Sequence, residues 1–161
     1  MIGNDIVDLT LAKKESNWKR KGFLDKIFTK QEQLFINTSE NQEIMIWNLW
    51  TRKEAAYKIY NRETEIRKFN PIQFECFDWD EKIGKVVFEN QVYFTKTEIT
   101  TSYIYSIAVS EIKYFDEVLT LENSIKIEKK NGIPFYINDN QYIKIISKTH
   151  HGQFEKIISI N

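Results

Sequence analysis

The sequence predicts an α+β protein in which helices pack on a mostly antiparallel sheet. Good helix formers and two capping signals lie before residue 62, whereas β-branched and aromatic residues dominate after Pro71. The chain has 161 residues with only 2 Pro and 5 Gly, and no Ser/Gly/Pro-rich stretch marks a linker. We therefore expect a single domain that spans residues 1–161 and is long enough to bury its own core.

The first part of the chain is predicted to form a short strand and then helices. Residues 2–7 are an apolar segment typical of a strand. Residues 29–32, Thr-Lys-Gln-Glu, match a capping box, in which the Thr hydroxyl and the Glu carboxylate each satisfy a free backbone N–H. Residues 39–42, Ser-Glu-Asn-Gln, offer a second helix start. That helix is expected to run to about Asn61, because the segment is rich in helix formers and lacks Gly and Pro.

The second part of the chain is predicted to form strands. Five segments combine β-branched and aromatic residues with partial alternation and are separated by turn residues. They are residues 72–76, 86–94, 103–109, 141–146 and 154–160. Helices that precede strands along the chain favour an α+β fold with a largely antiparallel sheet.

The charges cancel over the whole chain but are segregated along it. The 23 Lys and Arg balance the 23 Asp and Glu. Residues 13–30 nevertheless hold seven basic and two acidic residues, and residues 48–68 hold six basic and three acidic ones. The compensating excess lies in residues 75–122, with ten acidic residues and four lysines. The neutral total therefore does not exclude an anionic partner.

Several classes of protein are excluded by composition. Cys76 is the single cysteine, which rules out an intramolecular disulfide and a cysteine-based zinc cluster. The longest uncharged apolar runs fall far short of the ~20 residues that a membrane helix needs. The first eleven residues lack the cationic and apolar regions of a signal peptide. We expect a cytoplasmic protein that does not interact with membranes.

Two motifs in the first half of the chain could supply carboxylates and a cation. Residues 3–8, Gly-Asn-Asp-Ile-Val-Asp, place Asp5 and Asp8 in a short apolar strand, and an aspartate at its end could simply cap the next helix. Glu54 and Lys58 are four residues apart on the predicted helix, so they share one face. That spacing suits a surface ion pair, and it equally suits a Mg²⁺ ligand beside a phosphate-binding lysine.

Two further motifs lie near the C-terminus. Residues 131–135, Asn-Gly-Ile-Pro-Phe, are typical of a turn leading into a strand. Residues 147–152 hold both histidines, beside Ser147, Lys148 and Thr149. Adjacent histidines on a strand point to opposite faces and cannot chelate one metal as a pair. As a turn, this segment could bind a phosphate or could be a solvated hairpin loop.

The order of the four motifs resembles that of a known family. The four motifs are Gly-x-Asp-Ile at 3–6, Trp-x-x-Lys-Glu-Ala-x-x-Lys at 50–58, Gly-x-Pro at 132–134 and Ser-x-Thr-His at 147–150. They resemble motifs of the 4'-phosphopantetheinyl transferase superfamily and follow the order of its single-copy holo-acyl-carrier-protein synthase branch. The resemblance covers residues 1–62 and 131–161. Residues 70–130 have no obvious counterpart and are expected to be a strand-rich insertion. Thr149 stands where the family usually has Ser.

The resemblance implies an activity, a metal and a set of site residues. The family moves the phosphopantetheine arm of coenzyme A onto a serine of an apo acyl or peptidyl carrier protein and releases adenosine 3',5'-bisphosphate. By similarity, Asp5 and Glu54 bind Mg²⁺, and Glu54 and Lys58 are catalytic. The residues implied to contact coenzyme A are Lys53, Lys58, Ser147, Lys148 and His150.

The resemblance also implies partners. Family members dock acidic carrier proteins on a basic helix near the N-terminus, where the basic stretch 13–30 lies, and Arg20 and Lys26 are the expected contacts. Single-copy members place the cofactor between subunits, commonly of a trimer, although the insertion could replace the neighbouring subunit. One alternative is a catalytically weak relative that only binds carrier protein or coenzyme A. A nucleic-acid-binding module explains the basic stretch but not the ordered motifs, so no nucleic-acid partner is expected.

Overall fold

The computed structural model describes residues 1–78, 80, 82–137 and 141–160. Strand β1 (Ile2–Asp8) opens the chain and is followed by four helices. They are α1 (Leu9–Glu15), α2 (Phe23–Ile27), α3 (Lys30–Thr38) and the long α4 (Gln42–Thr64). None of these helices combines the length and the apolar character needed to cross a membrane.

The rest of the chain is built mainly of strands, with short 3-10 helices at Pro71–Gln73 and Ile112–Glu117. The strands are β2 (Glu75–Phe77), β3 (Ile83–Phe88), β4 (Gln91–Ile99), β5 (Tyr103–Val109), β6 (Val118–Leu121), β7 (Glu128–Lys130), β8 (Ile133–Ile137), β9 (Ile143–His151) and β10 (Phe154–Ile160). Within the described residues they form two five-stranded sheets whose neighbouring strands are antiparallel, in the orders β1-β5-β4-β3-β2 and β6-β10-β9-β8-β7. The predicted α+β class is confirmed.

The helix starts follow the capping signals. Thr29 caps α3 with the complete capping box, since its hydroxyl accepts the Glu32 N–H and the Glu32 carboxylate accepts the Thr29 N–H. Helix α4 begins at Gln42, within the predicted start at 39–42, but its cap is Asn41 and not Ser39, because Ser39 ends α3 and Asn41 accepts the Ile44 N–H. Helix α4 continues to Thr64, three residues beyond the expected end, because nothing in residues 62–64 breaks it.

Some of the strand predictions were wrong. The segment 86–94 is not one strand, because the chain reverses between β3 and β4, where Glu89 adopts a positive φ of 53°. The segment 72–76 begins as a 3-10 helix and becomes the strand β2 only at Glu75. Ser147–His151, expected to be a turn, lies in β9, which extends five residues beyond the predicted end at 146. The strands predicted at 103–109 and 154–160 are confirmed.

The predicted insertion supplies strands that are central to the fold. In the described part of the chain, four of the five strands in the first sheet come from residues 70–130, and β5 pairs along the whole of β1. Helix α4 packs across β1 and β5 and buries apolar side chains such as Leu49, Ala56 and Ile59 against them. Removing these strands would expose one side of α4.

Gly3 allows β1 to lie directly against α4. A Cβ atom placed on Gly3 would be 2.0 Å from the Ala55 carbonyl oxygen, far inside van der Waals contact. Only glycine permits so close a backbone approach at this position. The approach sets Asp5, two residues along the same face of β1, beside the middle of α4.

Candidate active site

Asp5 and Lys58 form an ion pair between β1 and α4. The Lys58 Nζ atom is 3.2 Å from Asp5 Oδ1 and donates to the Asn4 carbonyl oxygen at 2.6 Å. Both side chains are partly buried, with 13% of Asp5 and 28% of Lys58 exposed. Burial raises the pKa of Asp5, while Lys58 and a hydrogen bond from Thr149 act in the opposite direction. The pair is therefore held at a fixed place but still opens to the cleft.

Glu54 lies one turn before Lys58 and faces the same cleft as Asp5. Burial is the main reason that its pKa is raised to about 7, and the nearby negative charge of Asp5 adds to the effect. Among the described residues, no hydrogen bond or ion pair reaches the Glu54 carboxylate. Two carboxylates thus share a cleft in which Glu54 lacks a direct partner.

Side chains of β9 bind the free edge of β1 and so join the two sheets. The backbone N–H groups of Asn4, Ile6 and Asp8 donate to Ser147 Oγ at 3.0 Å, Thr149 Oγ1 at 3.3 Å and His151 Nδ1 at 2.8 Å. These three acceptors are alternate residues of β9 and therefore point to the same face of that strand. His150 and Lys148 point to the opposite face. The Ser-x-Thr motif thus satisfies the backbone of β1.

The cleft has two lobes, and Asp5 and His150 line both of them. The first lobe, of about 490 Å³, combines aromatic and apolar side chains with polar and charged ones such as Arg20, and we call it the aromatic lobe. Its lining includes Glu54, Ala12, Phe23, Ile27, Trp47 and Trp50. The second lobe, of about 420 Å³, is lined by cationic and polar side chains from α4, β7 and β9. Its lining includes Lys58, Arg62, Lys129, Ser147, Lys148 and Thr149.

Most of the predicted site residues meet at this cleft. Asp5, Glu54 and Lys58 come together where the lobes join, and Ser147, Lys148 and His150 line the cationic lobe. Ser147 is almost fully buried and already accepts the Asn4 N–H, whereas Lys148 pairs with Glu155 at 2.9 Å. Arg20 lines the aromatic lobe. Lys26 is exposed on α2 and is not among the residues that line either lobe.

Lys53 lies elsewhere, and its predicted contact with coenzyme A is contradicted. Its side chain is fully buried, and Nζ donates to Glu32 Oε2 at 2.7 Å and to the Pro71 carbonyl oxygen at 3.0 Å. Adjacent residues on a helix point about 100° apart, so Lys53 cannot share the face of Glu54 and Lys58. The same spacing argument, applied to Lys53, would have placed it correctly.

The sequence interpretation missed Arg62 and Lys129, and it did not place Thr149 against Asp5. Arg62 follows Lys58 by four residues on the same helix face, a signal that could have identified it. Thr149 donates a hydrogen bond to Asp5 Oδ1 at 3.0 Å, which no local pattern could indicate because the two residues are 144 positions apart. Lys129 lies in the three-residue strand β7 and belongs to no recognisable motif.

The donor set at the junction of the lobes fits a hard divalent cation. Mg²⁺ is usually bound by one or two carboxylates together with substrate phosphates and water. Asp5 and Glu54 supply two carboxylates, and the lack of a partner for Glu54 leaves it free to ligate. The described residues contain no group of three or more His, Cys, Asp or Glu side chains that could hold a metal by themselves.

The site combines two carboxylates and a lysine, carried by one long helix and its neighbouring strand, with a cationic cleft beside them. This arrangement is typical of proteins that bind a phosphorylated ligand. The sequence model of the 4'-phosphopantetheinyl transferase superfamily matches residues 1–110. The chain therefore belongs to this superfamily of transferases, as its motifs predicted. The match runs through residues 70–110, so this part of the segment predicted as an insertion belongs to the family core.

Solved structures of holo-acyl-carrier-protein synthases share the fold. An apo-ACPS structure from Chronobacterium ammoiniagenes aligns with a TM-score of 0.54 at 14% identity, over 67% of this chain and 93% of that one. The holo-[acyl-carrier-protein] synthase of Thermotoga maritima aligns with a TM-score of 0.53 at 12% identity, over 98% of this chain and 81% of that one. No curated protein matches the chain.

Proposed function

We propose that the protein transfers the 4'-phosphopantetheine group of coenzyme A to a serine of an apo acyl or peptidyl carrier protein in the cytoplasm and releases adenosine 3',5'-bisphosphate. The observation that carries this proposal is the convergence of Asp5, Glu54 and Lys58 where an aromatic and a cationic lobe meet. Coenzyme A has a matching division, since its nucleotide end carries the phosphates and its pantetheine arm is uncharged.

Asp5 and Glu54 would hold the metal of the reaction. Mg²⁺ bound there would offset the charge of the coenzyme A diphosphate as the bond to the leaving phosphate breaks. Deprotonated Glu54 is the form that can ligate, so its raised pKa makes metal binding and proton release coupled events near neutral pH.

Lys58 would stabilise the charge that develops on the leaving group. Its ammonium is oriented by the Asn4 carbonyl and by Asp5, and this fixed position reduces the reorganisation needed during the reaction. In the step itself, the serine oxygen forms a bond to the phosphorus of the pantetheine phosphate while the bond to adenosine 3',5'-bisphosphate breaks. The serine proton passes to Glu54 or to a water molecule that Glu54 orients.

The cationic lobe would bind the nucleotide end of coenzyme A. Lys148, His150 and Ser147 remain the proposed contacts of the 3'-phosphate, and Arg62 and Lys129 add positive charge to the same lobe. Guanidinium and ammonium groups are the usual partners of phosphate. Arg62 is also engaged with the Ile2 and Ile146 carbonyl oxygens, and Lys148 with Glu155, so both would share these contacts with a bound phosphate.

The carrier protein would dock beside the aromatic lobe. Arg20 and Lys26 are exposed and belong to the basic stretch 13–30, which the structure divides between α1, a connecting segment that holds Arg20, α2 with Lys26, and the start of α3. Positive charge on this surface is complementary to an acidic carrier. A homo-oligomer, such as the trimer common in the family, is the proposed assembly.

A transfer assay tests the proposal. The protein is incubated with an apo carrier protein, coenzyme A and Mg²⁺, and mass spectrometry detects addition of phosphopantetheine. Glu54→Gln and Asp5→Asn should each abolish transfer, whereas Glu40→Gln, which changes an exposed carboxylate in the segment between α3 and α4, should not. Coenzyme A binding without transfer to any of several apo carriers would favour a binding protein instead.

A further inference from the structure

Thr149 makes two hydrogen bonds whose directions are fixed by chemistry. The Ile6 N–H can only donate, so the Thr149 oxygen accepts it, at 3.3 Å. The hydroxyl proton is then available to Asp5 Oδ1, 3.0 Å away, and an ionised carboxylate can only accept. Thr149 is 5% exposed, so water competes little for either bond. The backbone of β1 thus orients a hydroxyl that holds the carboxylate of the same strand.

The two donors to Asp5 act on the same oxygen. Lys58 Nζ and Thr149 Oγ1 approach Oδ1 at 3.2 Å and 3.0 Å from opposite elements, α4 and β9. No side chain in the described residues donates to Oδ2. The Ile6 backbone N–H also lies near this carboxylate but donates to Thr149 Oγ1, so Oδ2 is the oxygen available to a ligand in the cleft.

We propose that Thr149 is a positioning residue that turns Oδ2 of Asp5 toward the metal. The inference rests on the proposed function, because it concerns the metal that Asp5 and Glu54 would share. Donors behind a metal ligand commonly change metal affinity by about 10- to 100-fold when they are removed. Lys58 alone is a weaker constraint, since an ammonium acts as a point charge and does not fix the rotation of the carboxylate that it contacts.

The neighbouring residues of β9 explain why this role belongs to Thr149. Ser147 and His151 also accept N–H groups of β1, yet neither has a hydrogen bond to Asp5. Threonine is branched at Cβ, which restricts χ1 and keeps the hydroxyl between Ile6 and Asp5. Serine offers the same hydroxyl with fewer constraints, so it should preserve the function.

Metal binding to three variants tests the proposal. Mn²⁺ replaces Mg²⁺ as the probe, and its free concentration is measured by electron paramagnetic resonance with the protein and coenzyme A present but no carrier. Thr149→Val, which keeps the shape and removes the hydroxyl, should weaken Mn²⁺ binding by roughly 10-fold or more. Thr149→Ser should remain within about threefold of the unaltered protein.

The matched control is Thr97→Val. Thr97 is also buried and its hydroxyl bonds to Ser106 Oγ at 2.8 Å, so the same substitution removes a buried hydrogen bond without touching Asp5. It should lower the melting temperature but leave the Mn²⁺ affinity unchanged. Equal Mn²⁺ affinities for Thr149→Val and Thr97→Val, or equal losses for Thr149→Val and Thr149→Ser, would overturn the inference. Such a result would not affect the proposed function as long as the unaltered protein transfers phosphopantetheine. Absence of transfer by the unaltered protein would contradict the proposed function itself.

Discussion

Glu54 illustrates how a residue suited to its site can cost stability. Its carboxylate is largely buried beside Asp5 and has no hydrogen bond or ion pair among the described residues. Such an environment favours the protonated form, as the raised pKa of about 7 shows. A metal bound by Glu54 would remove this penalty, and the proposed reaction needs the same metal. Metal binding should therefore affect both the stability and the activity of the protein.

The first prediction concerns the pH dependence of stability. Between the ordinary pKa of 4.5 and about 7, the folded protein holds a proton on Glu54 that the unfolded chain releases, so this residue lowers the free energy of unfolding as pH rises. Without divalent cations, Glu54→Gln should raise the free energy of unfolding at pH 8 by roughly 1–3 kcal/mol and change it little at pH 5. Urea denaturation at both pH values measures the difference.

Mg²⁺ provides the internal check on that result. It should raise the melting temperature of the unaltered protein more at pH 8 than at pH 6, because only ionised Glu54 ligates. The response should vanish in Glu54→Gln and persist in Glu40→Gln. An equal response to Mg²⁺ at both pH values would show that Glu54 does not control binding.

Lys53 leads to a second prediction. It forms a fully buried ion pair with Glu32, which also accepts the N–H groups of Thr29 and Cys76. Lys53→Met leaves Glu32 as a buried charge without its cation, so the free energy of unfolding should fall by about 3–5 kcal/mol. The affinity of the folded fraction for coenzyme A, measured by calorimetry below the melting range, should not change.

The double variant Glu32→Gln/Lys53→Met tests whether the loss of stability comes from the unpaired charge of Glu32. With both charges removed, it should be more stable than Lys53→Met alone, because no unpaired charge stays buried. A loss of coenzyme A affinity in Lys53→Met with normal stability would restore the original assignment of Lys53 to the ligand site. Helical spacing separates Lys53 from Glu54 and Lys58, although all three residues belong to one sequence motif.

At the level of elements, local signals predicted helix starts better than strand limits. The capping box at Thr29 and Asn41 at the start of α4 depend on residues within four positions, which the sequence displays directly. The division of 86–94 into β3 and β4 depends on a two-residue turn, Glu89-Asn90, that lacks the usual glycine. The segment around Ser147 is a strand because its backbone pairs with β10, and its side chains bond to β1, more than 140 residues away.

The third prediction concerns the contact between β1 and α4. Gly3→Ala would place a Cβ atom 2.0 Å from the Ala55 carbonyl oxygen, a backbone atom that cannot move away by itself. The strand must then shift away from the helix, and the free energy of unfolding should fall by roughly 2–4 kcal/mol. The shift should also separate Asp5 from Glu54 and weaken Mn²⁺ binding.

Gly22→Ala is the control for Gly3→Ala. Gly22 has a φ of +79°, but a Cβ atom there would meet nothing within 4 Å. Its substitution should cost only about 1 kcal/mol of backbone strain and leave Mn²⁺ binding intact. Similar losses of stability and of metal binding in the two variants would argue against the close approach of β1 as the determinant of the site.

Over the whole molecule, charge was predictable and sheet arrangement was not. The basic residues of 13–30 are all exposed, as a solvated or docking surface requires, and Arg20 reaches the aromatic lobe. In contrast, nothing in the sequence indicates that the C-terminal sheet packs on the edge of β1. That contact is made by hydrogen bonds between residues about 143 positions apart and by apolar packing of Ile2 with Ile158, and no periodicity encodes it.

The last prediction concerns carrier docking. Arg20→Glu and Lys26→Glu each reverse one charge on the basic surface, so the KM for the apo carrier should rise by roughly 3- to 10-fold while kcat at saturating carrier changes less. Lys126→Glu is the control, because it makes the same change in net charge at an exposed lysine outside the stretch 13–30. High salt should reduce the difference between the unaltered protein and the two docking variants, since exposed charges are screened over ~8–10 Å. Equal KM values for Lys126→Glu and Arg20→Glu would mean that the carrier responds to total charge and does not dock on α1 and α2.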